Sequence, residues 1–179
     1  RGTGVHAGDS GHNPLDFVGV QTPAGEALAI YSSVRALAAH RPGDRPMALD
    51  FRTIGLTALI ETGGRVVVNP GTDAVLLPRP AVAALAQGDQ WLPAWRDVAL
   101  RDLLFDEANA VCSAITALSI TYAGGGLTRV IVSVERSCFT EAANASAMKQ
   151  SLTQALSHVG ANRRLIASAD RVEIAPILV

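Results

Sequence analysis

Aromatic and charged residues are both scarce in this sequence, and each shortage limits what the protein can be. Aromatic side chains make up 4% of the 179 residues, so alanine, valine and leucine must fill the interior. Charged residues make up 17% against a hydrophobic fraction of 49%, a balance that argues against an intrinsically disordered chain. We therefore expect well-buried elements, or an apolar surface that an oligomer covers.

The chain also lacks a strong charge of either sign and a long apolar run. Its formal net charge is -1, and Lys149 is the only lysine. Without a basic patch, binding to nucleic acid or to an anionic membrane surface is not expected. Arg, Asp, Glu or Gly interrupts every apolar run before the roughly 18–20 residues that span a bilayer. We expect a cytoplasmic protein, and the preference for arginine over lysine is typical of a high-GC bacterial genome.

Cysteine is rare, which excludes two common kinds of small-protein scaffold. Cys112 and Cys138 cannot form a disulfide framework, and they lack the paired spacing of a zinc site. In the glycine-rich opening RGTGVHAGDSGHNP, His6 and His12 flank Asp9, but no periodic element fixes their geometry. We interpret residues 1–15 as an N-terminal arm and expect neither a metal nor a cofactor.

The segment from residue 16 to residue 64 alternates strand and helix signals. The runs DFVGVQT and ALAIYSS flank turn formers at residues 23–26, which predicts a hairpin. Ser32 or Ser33 can cap a helix that continues through Ala39, and PMALD predicts a short strand. FRTIGLTALIETGG then predicts a helix with an inward apolar stripe. The members of that stripe are Phe51, Ile54, Ala58 and Ile60.

Residues 65–94 are the best specified part of the chain. Three consecutive valines favour a strand, Asn-Pro-Gly at residues 69–71 favours a turn, and a second apolar run follows. Pro80 suits the first turn of a helix that Gly88 can end. Every one of these signals specifies backbone geometry, and none of them specifies a reaction.

The two tryptophans, Trp91 and Trp95, follow that helix and are our candidate binding residues. An aromatic pair can stack on a ligand, or it can seal the base of a domain or an interface. We place a domain boundary here, between residues 16–95 and residues 96–179. The second segment predicts a helix, a hairpin closed by the glycines at 124–126, a helix that stops at Gly160 and a final strand.

Four short segments resemble the SseB family, which is named for enhanced serine sensitivity. IYSSV at residues 30–34 is similar to the family's strand end that leads into a helix, and residues 66–88 are similar to its strand, Pro-Gly turn and proline-started helix. AGDSG at residues 7–11 resembles the family's N-terminal arm, and DRVEI at residues 170–174 resembles its closing strand. The resemblance implies an SseB N-terminal-like domain and an SseB C-terminal-like domain, and no catalytic residue can be carried over from the family.

The predicted fold class is α/β, or α+β, with two small mixed or antiparallel sheet domains that carry helices on their sheets. For function, we favour a non-enzymatic protein-interaction or regulatory module with an unknown protein partner or a homodimer, because few charges and two sets of sheet edges favour association. The alternative is a sulfur- or amino-acid-linked enzyme or sensor. It would use Cys138 as a reactive thiol, since a nearby helix N-terminus favours thiolate.

Overall fold

Two separate sheets organise the computed structural model, which describes residues 17–140 and 142–179. The first sheet has the strand order β1-β2-β3-β4, with β1 at Gly19–Thr22, β2 at Gly25–Ile30, β3 at Val66–Val68 and β4 at Val75–Leu77. The second has the order β5-β6-β7, with β5 at Ile115–Tyr122, β6 at Leu127–Val134 and β7 at Arg171–Leu178. The predicted α+β class with two small sheets is confirmed.

Six α-helices accompany these strands within the described residues. They are α1 at Val34–His40, α2 at Phe51–Glu61, α3 at Arg79–Gln87, α4 at Val98–Val111, α5 at Ala142–Ala161 and α6 at Arg163–Ser168. None of the described helices combines the length and the apolar character that crossing a membrane requires. The predicted N-terminal arm, with His6, Asp9 and His12, lies outside the described residues.

Parallel and antiparallel pairs are mixed in both sheets. In the first sheet, β1 and β2 form the predicted hairpin, β2 runs parallel to β3, and β3 is antiparallel to β4. In the second, the hairpin of β5 and β6 closes through residues 124–126, three glycines that all have positive φ. The final strand runs parallel to β6 from Arg171 to Leu178 and includes Pro176, which an edge strand tolerates.

The predicted strand at PMALD is wrong, because residues 41–50 contain no strand. Both sides of β2 are already occupied, by β1 and by β3, so this segment would have to pair at an outer edge of the sheet. Its Met47 side chain is 53% exposed, so it buries little apolar surface that could hold an added strand in place. The segment instead leads to Asp50, whose side chain caps α2.

Helix α6 was not predicted, because six residues are too few for a periodic apolar pattern. Its start is set by Asn162, whose Oδ1 accepts hydrogen bonds from the Arg164 and Leu165 amides. Arg164 also donates to the buried cap of α4, Asp97, at 2.7 Å. Leu165 is fully buried, so tertiary packing stabilises this short helix.

A buried carboxylate joins the two sheets at the loop before β7. Asp170 is 1% exposed at its side chain; its Oδ2 accepts from Arg65 Nε at 2.7 Å, and its Oδ1 accepts from Arg79 Nε at 2.5 Å. Arg65 directly precedes β3, and Arg79 begins α3. The neighbouring Arg171 donates to the Pro23 carbonyl oxygen in the first hairpin at 2.9 Å. These contacts fix the second half of the chain against the first.

Replacing the buried carboxylate tests that arrangement. We expect Asp170→Ala to lower the free energy of unfolding by about 3 kcal/mol, because it leaves Arg65 poorly hydrated and without its partner. Glu173→Ala, in the edge strand β7 that follows Asp170, is the matched control. The Glu173 carboxylate pairs with exposed Arg129, and such pairs contribute less than about 1 kcal/mol. Urea denaturation measures both values. Equal losses would contradict the stabilising role of Asp170.

Candidate functional site

An apolar cleft of 930 Å³ lies between α2 and α3 on the first half of the chain. We call it the α2–α3 cleft. Its walls carry Leu56 and Leu59 from α2 and Leu85 from α3, and all three side chains are exposed. The sequence analysis did not predict this surface, although FRTIGLTALIE contains a second apolar stripe, Leu56, Leu59 and Ile60, beside the inward one.

The two helices of the cleft run antiparallel and approach closely. Gly55, in the first half of α2, faces the last turn of α3, where an added Cβ would lie 2.6 Å from the Ala86 Cβ. At the other end, Gly64 follows α2 and lies against Arg79, the first residue of α3. Because Gly55 has no side chain, the helices pack tightly and leave a smooth floor of small residues.

Helix α2 is apolar on two sides, which is unusual for a surface helix. The inward side agrees with the prediction at Phe51, Ile54 and Ala58, which pack on the first sheet through Leu28 and three other buried or half-buried residues. The prediction for Ile60 is wrong, because this side chain is 80% exposed. At 100° per residue, Ile60 lies about 200° around the helix from Ala58, so it cannot share the inward side.

The cleft has charged groups only at its two ends. Arg52 lies at the end where α3 stops, and Arg79 lies at the opposite end, 54% exposed while it holds Asp170. Asp50 is beside Arg52, but both of its carboxylate oxygens are engaged as the cap of α2. The Thr53 amide lowers the pKa of Asp50 most, and the Thr53 hydroxyl lowers it further.

Trp91 and Trp95 lie together, as their spacing suggested, but away from the α2–α3 cleft lining. Their rings meet edge to face with centroids 5.7 Å apart, and the Trp95 ring lies 4.8 Å from that of Tyr122 on β5. Trp95 also packs against the core of the second sheet. Trp91 Nε1 is buried without a hydrogen-bond partner among the described residues. Tyr122 was not predicted to join this cluster, because its contact depends on tertiary structure.

Cys138, the predicted reactive thiol, lies in a single 3-10 turn at Arg136–Phe139 and packs on the core of the second sheet. This turn precedes α5, so the thiol is not part of that helix. Cys112 is 1% exposed, with its Sγ 3.7 Å from the Met148 Sδ. Among residues 17–140 and 142–179, no group of three acidic, histidine or cysteine side chains could hold a metal ion.

A polar cluster lies where the parallel strands β2 and β3 end. The Tyr31 hydroxyl is 2.8 Å from His40 Nδ1, and the Ser32 amide donates to Asn69 Oδ1 at 2.9 Å. Burial raises the pKa of Tyr31, while the positive charge of Arg41 opposes that rise. These side chains bond to one another in two pairs, Tyr31 with His40 and Ser32 with Asn69, which stabilises the strand ends.

These features define an α+β protein with two sheets and an apolar surface cleft. A comparison with known protein families finds a match. Residues 3–84 match the SseB protein N-terminal domain. Residues 3–84 therefore belong to the SseB family, which confirms the resemblance seen in the first half of the sequence. The match contains α2 and most of α3. Neither the curated proteins nor the solved structures that were searched gave a match.

The cap of α2 gives a pH-dependent prediction. Asp50 should titrate below 3.8, the ordinary aspartate value, because its ionised form accepts both Thr53 hydrogen bonds. The cap therefore stabilises α2 above the ordinary pKa, and this contribution is lost as pH falls through the lowered one. NMR titration of the Asp50 carboxyl measures it. Thr53→Val should raise the pKa partway, and a wild-type pKa at or above 3.8 would contradict the cap.

The two thiols should differ in native reactivity. We expect a maleimide to modify Cys138 quickly and Cys112 slowly, since Cys112 is 1% exposed. Cys138→Ser should remove the fast phase, and both thiols should react in strong denaturant. Mass spectrometry of the modified protein follows each site. If maleimide modifies Cys138 at neutral pH no faster than it modifies free cysteine, that result contradicts the alternative in which Cys138 is a reactive thiol.

Proposed function

We propose that this chain is a non-enzymatic protein-interaction module that binds a partner through the α2–α3 cleft. The observation that carries the proposal is the second apolar side of α2, where Leu56 and Leu59 line the cleft and are 54% and 65% exposed. Ile60 lies beside this lining on the same side of the helix and is 80% exposed. Clustered apolar side chains on a surface helix mark interaction sites more often than isolated ones do. Each side chain of this type contributes about 1.5–3 kcal/mol when it is fully buried.

The composition supports the same function. Few charges and a high hydrophobic fraction leave apolar surface for a partner to cover, and the SseB N-terminal domain contains the helix that carries most of it. The partner is another protein, or a second copy of this chain as the predicted homodimer. The Cys138 alternative has no comparable support, because the thiol lies in a 3-10 turn and packs on the core of the second sheet.

Site-specific photo-crosslinking, in the cells that naturally make this protein, tests whether a partner binds at the α2–α3 cleft. Benzoylphenylalanine at Leu59 should give a crosslinked protein product, because this position lines the cleft. The same probe at Ser157, on the polar exposed side of α5, is the matched control and should give none. The sum of the two masses distinguishes a second copy from another protein. No product at position 59, or identical products at both positions, would contradict the proposal.

Substitutions that keep the fold should abolish the contact. Ile60→Ser together with Leu56→Ser should eliminate the crosslink from position 59, since both remove apolar surface that a partner would bury. Because these side chains are exposed, the free energy of unfolding should change by no more than about 0.5 kcal/mol each. Urea denaturation provides that control. A retained crosslink in the folded double variant would show that this surface is not the one bound.

A further inference from the structure

We infer that the occupant of the α2–α3 cleft is an amphipathic helix of a partner protein, with acidic residues at both ends of its apolar stripe. This inference rests on the proposed function and identifies the kind of partner. It depends on three properties of the cleft, namely its shape, the state of its backbone groups and the position of its charges.

The shape of the cleft suits a third helix. Two antiparallel helices form its walls, and Gly55, Ala83 and Ala86 are small residues at its lining. Packed helix axes lie 8–10 Å apart when small side chains meet, so a helix can settle between α2 and α3. With 11 residues in α2, the cleft is about 16 Å long. That length accommodates about three helical turns, with apolar anchors at i, i+3 or i+4, and i+7.

The backbone and side-chain chemistry of the cleft disfavours other occupants. Within α2 and α3 the amides and carbonyls already bond to one another, so an extended peptide would find no strand edge to pair with. A small polar ligand needs convergent polar groups, whereas the middle of this cleft is lined by Leu56, Val82 and other apolar or small residues. An apolar helix face meets neither difficulty.

The charges at the ends give the occupant its sign. Arg52 and Arg79 lie at opposite ends, and the lining holds one ionised carboxylate against these two arginines, that of Asp50, which faces Thr53 as the cap of α2. Carboxylates at the two ends of a bound helix would therefore meet guanidinium groups. A second copy placed against the cleft by two-fold symmetry would bring the same arginine-bearing surface onto itself. The charge pattern thus favours a different, acidic partner over the homodimer.

Model peptides and the full chain test this inference. The probes are two helical peptides of about 15 residues that share leucines at i, i+3, i+4 and i+7. One carries glutamate at both ends, and the other carries lysine. Fluorescence anisotropy at low salt should show the glutamate peptide binding about tenfold more tightly, since both ends change from attraction to repulsion. A glutamate peptide with serine in place of leucine should not bind.

Charge reversal in the protein locates the contact. Arg52→Glu should weaken binding of the glutamate peptide about threefold to tenfold and strengthen binding of the lysine peptide. Arg163→Glu, at an exposed position of α6, is the matched control and should change neither affinity. Acidic residues are favourable in the first turn of a helix, so Arg52→Glu should fold, and circular dichroism checks this. Equal effects of the two reversals would overturn the inference.

The remaining outcomes separate this inference from the proposed function. If neither peptide binds, or both bind equally, while position 59 still crosslinks to another protein, the acidic helix is wrong and the interaction function stands. A crosslinked product with twice the mass of this chain would identify a second copy and likewise overturn the acidic partner. If position 59 gives no product in cells, the proposed function itself fails, whatever the peptides do.

Discussion

The buried carboxylate of Asp170 is the contact on which the arrangement of this molecule depends. It accepts from Arg65, which directly precedes β3, and from Arg79, which starts α3, so one side chain fixes both the first sheet and one wall of the α2–α3 cleft. A charge buried to this extent is stable only with such partners, because its hydration is lost. The start of α3, where Arg79 lies, and the α2–α3 cleft beside it are therefore coupled to the loop before β7.

The exposed apolar side of α2 is the reason why we propose an interaction surface. At the ends of β2 and β3, the polar groups of Tyr31, His40, Ser32 and Asn69 bond to one another. On the outer side of α2, by contrast, no described element covers Leu56 and Leu59. Hydrophobic surface of this kind gains free energy when a partner covers it.

Local signals predicted most of the elements, because their causes lie within a few residues. Glycines at 124–126 supply the positive φ angles of the hairpin, and Pro80 and Gly88 bracket α3 within one residue of its ends. The failures were of another kind. PMALD has a strand-like composition but no open strand beside it, and α6 is held by the burial of Leu165 rather than by its own periodicity.

By itself, then, the sequence determined the helices and hairpins with clear caps and turns, the α+β class and the SseB-family character of residues 3–84. Tertiary structure alone decided that the second apolar side of α2 stays uncovered, that β7 runs parallel to β6, and that Trp95 meets Tyr122. It also brought Arg65 to Asp170 across 105 positions of the chain. The reason is that caps and turns act between near neighbours, whereas a cleft, a parallel pair and a buried ion pair join residues whose separation no local pattern encodes.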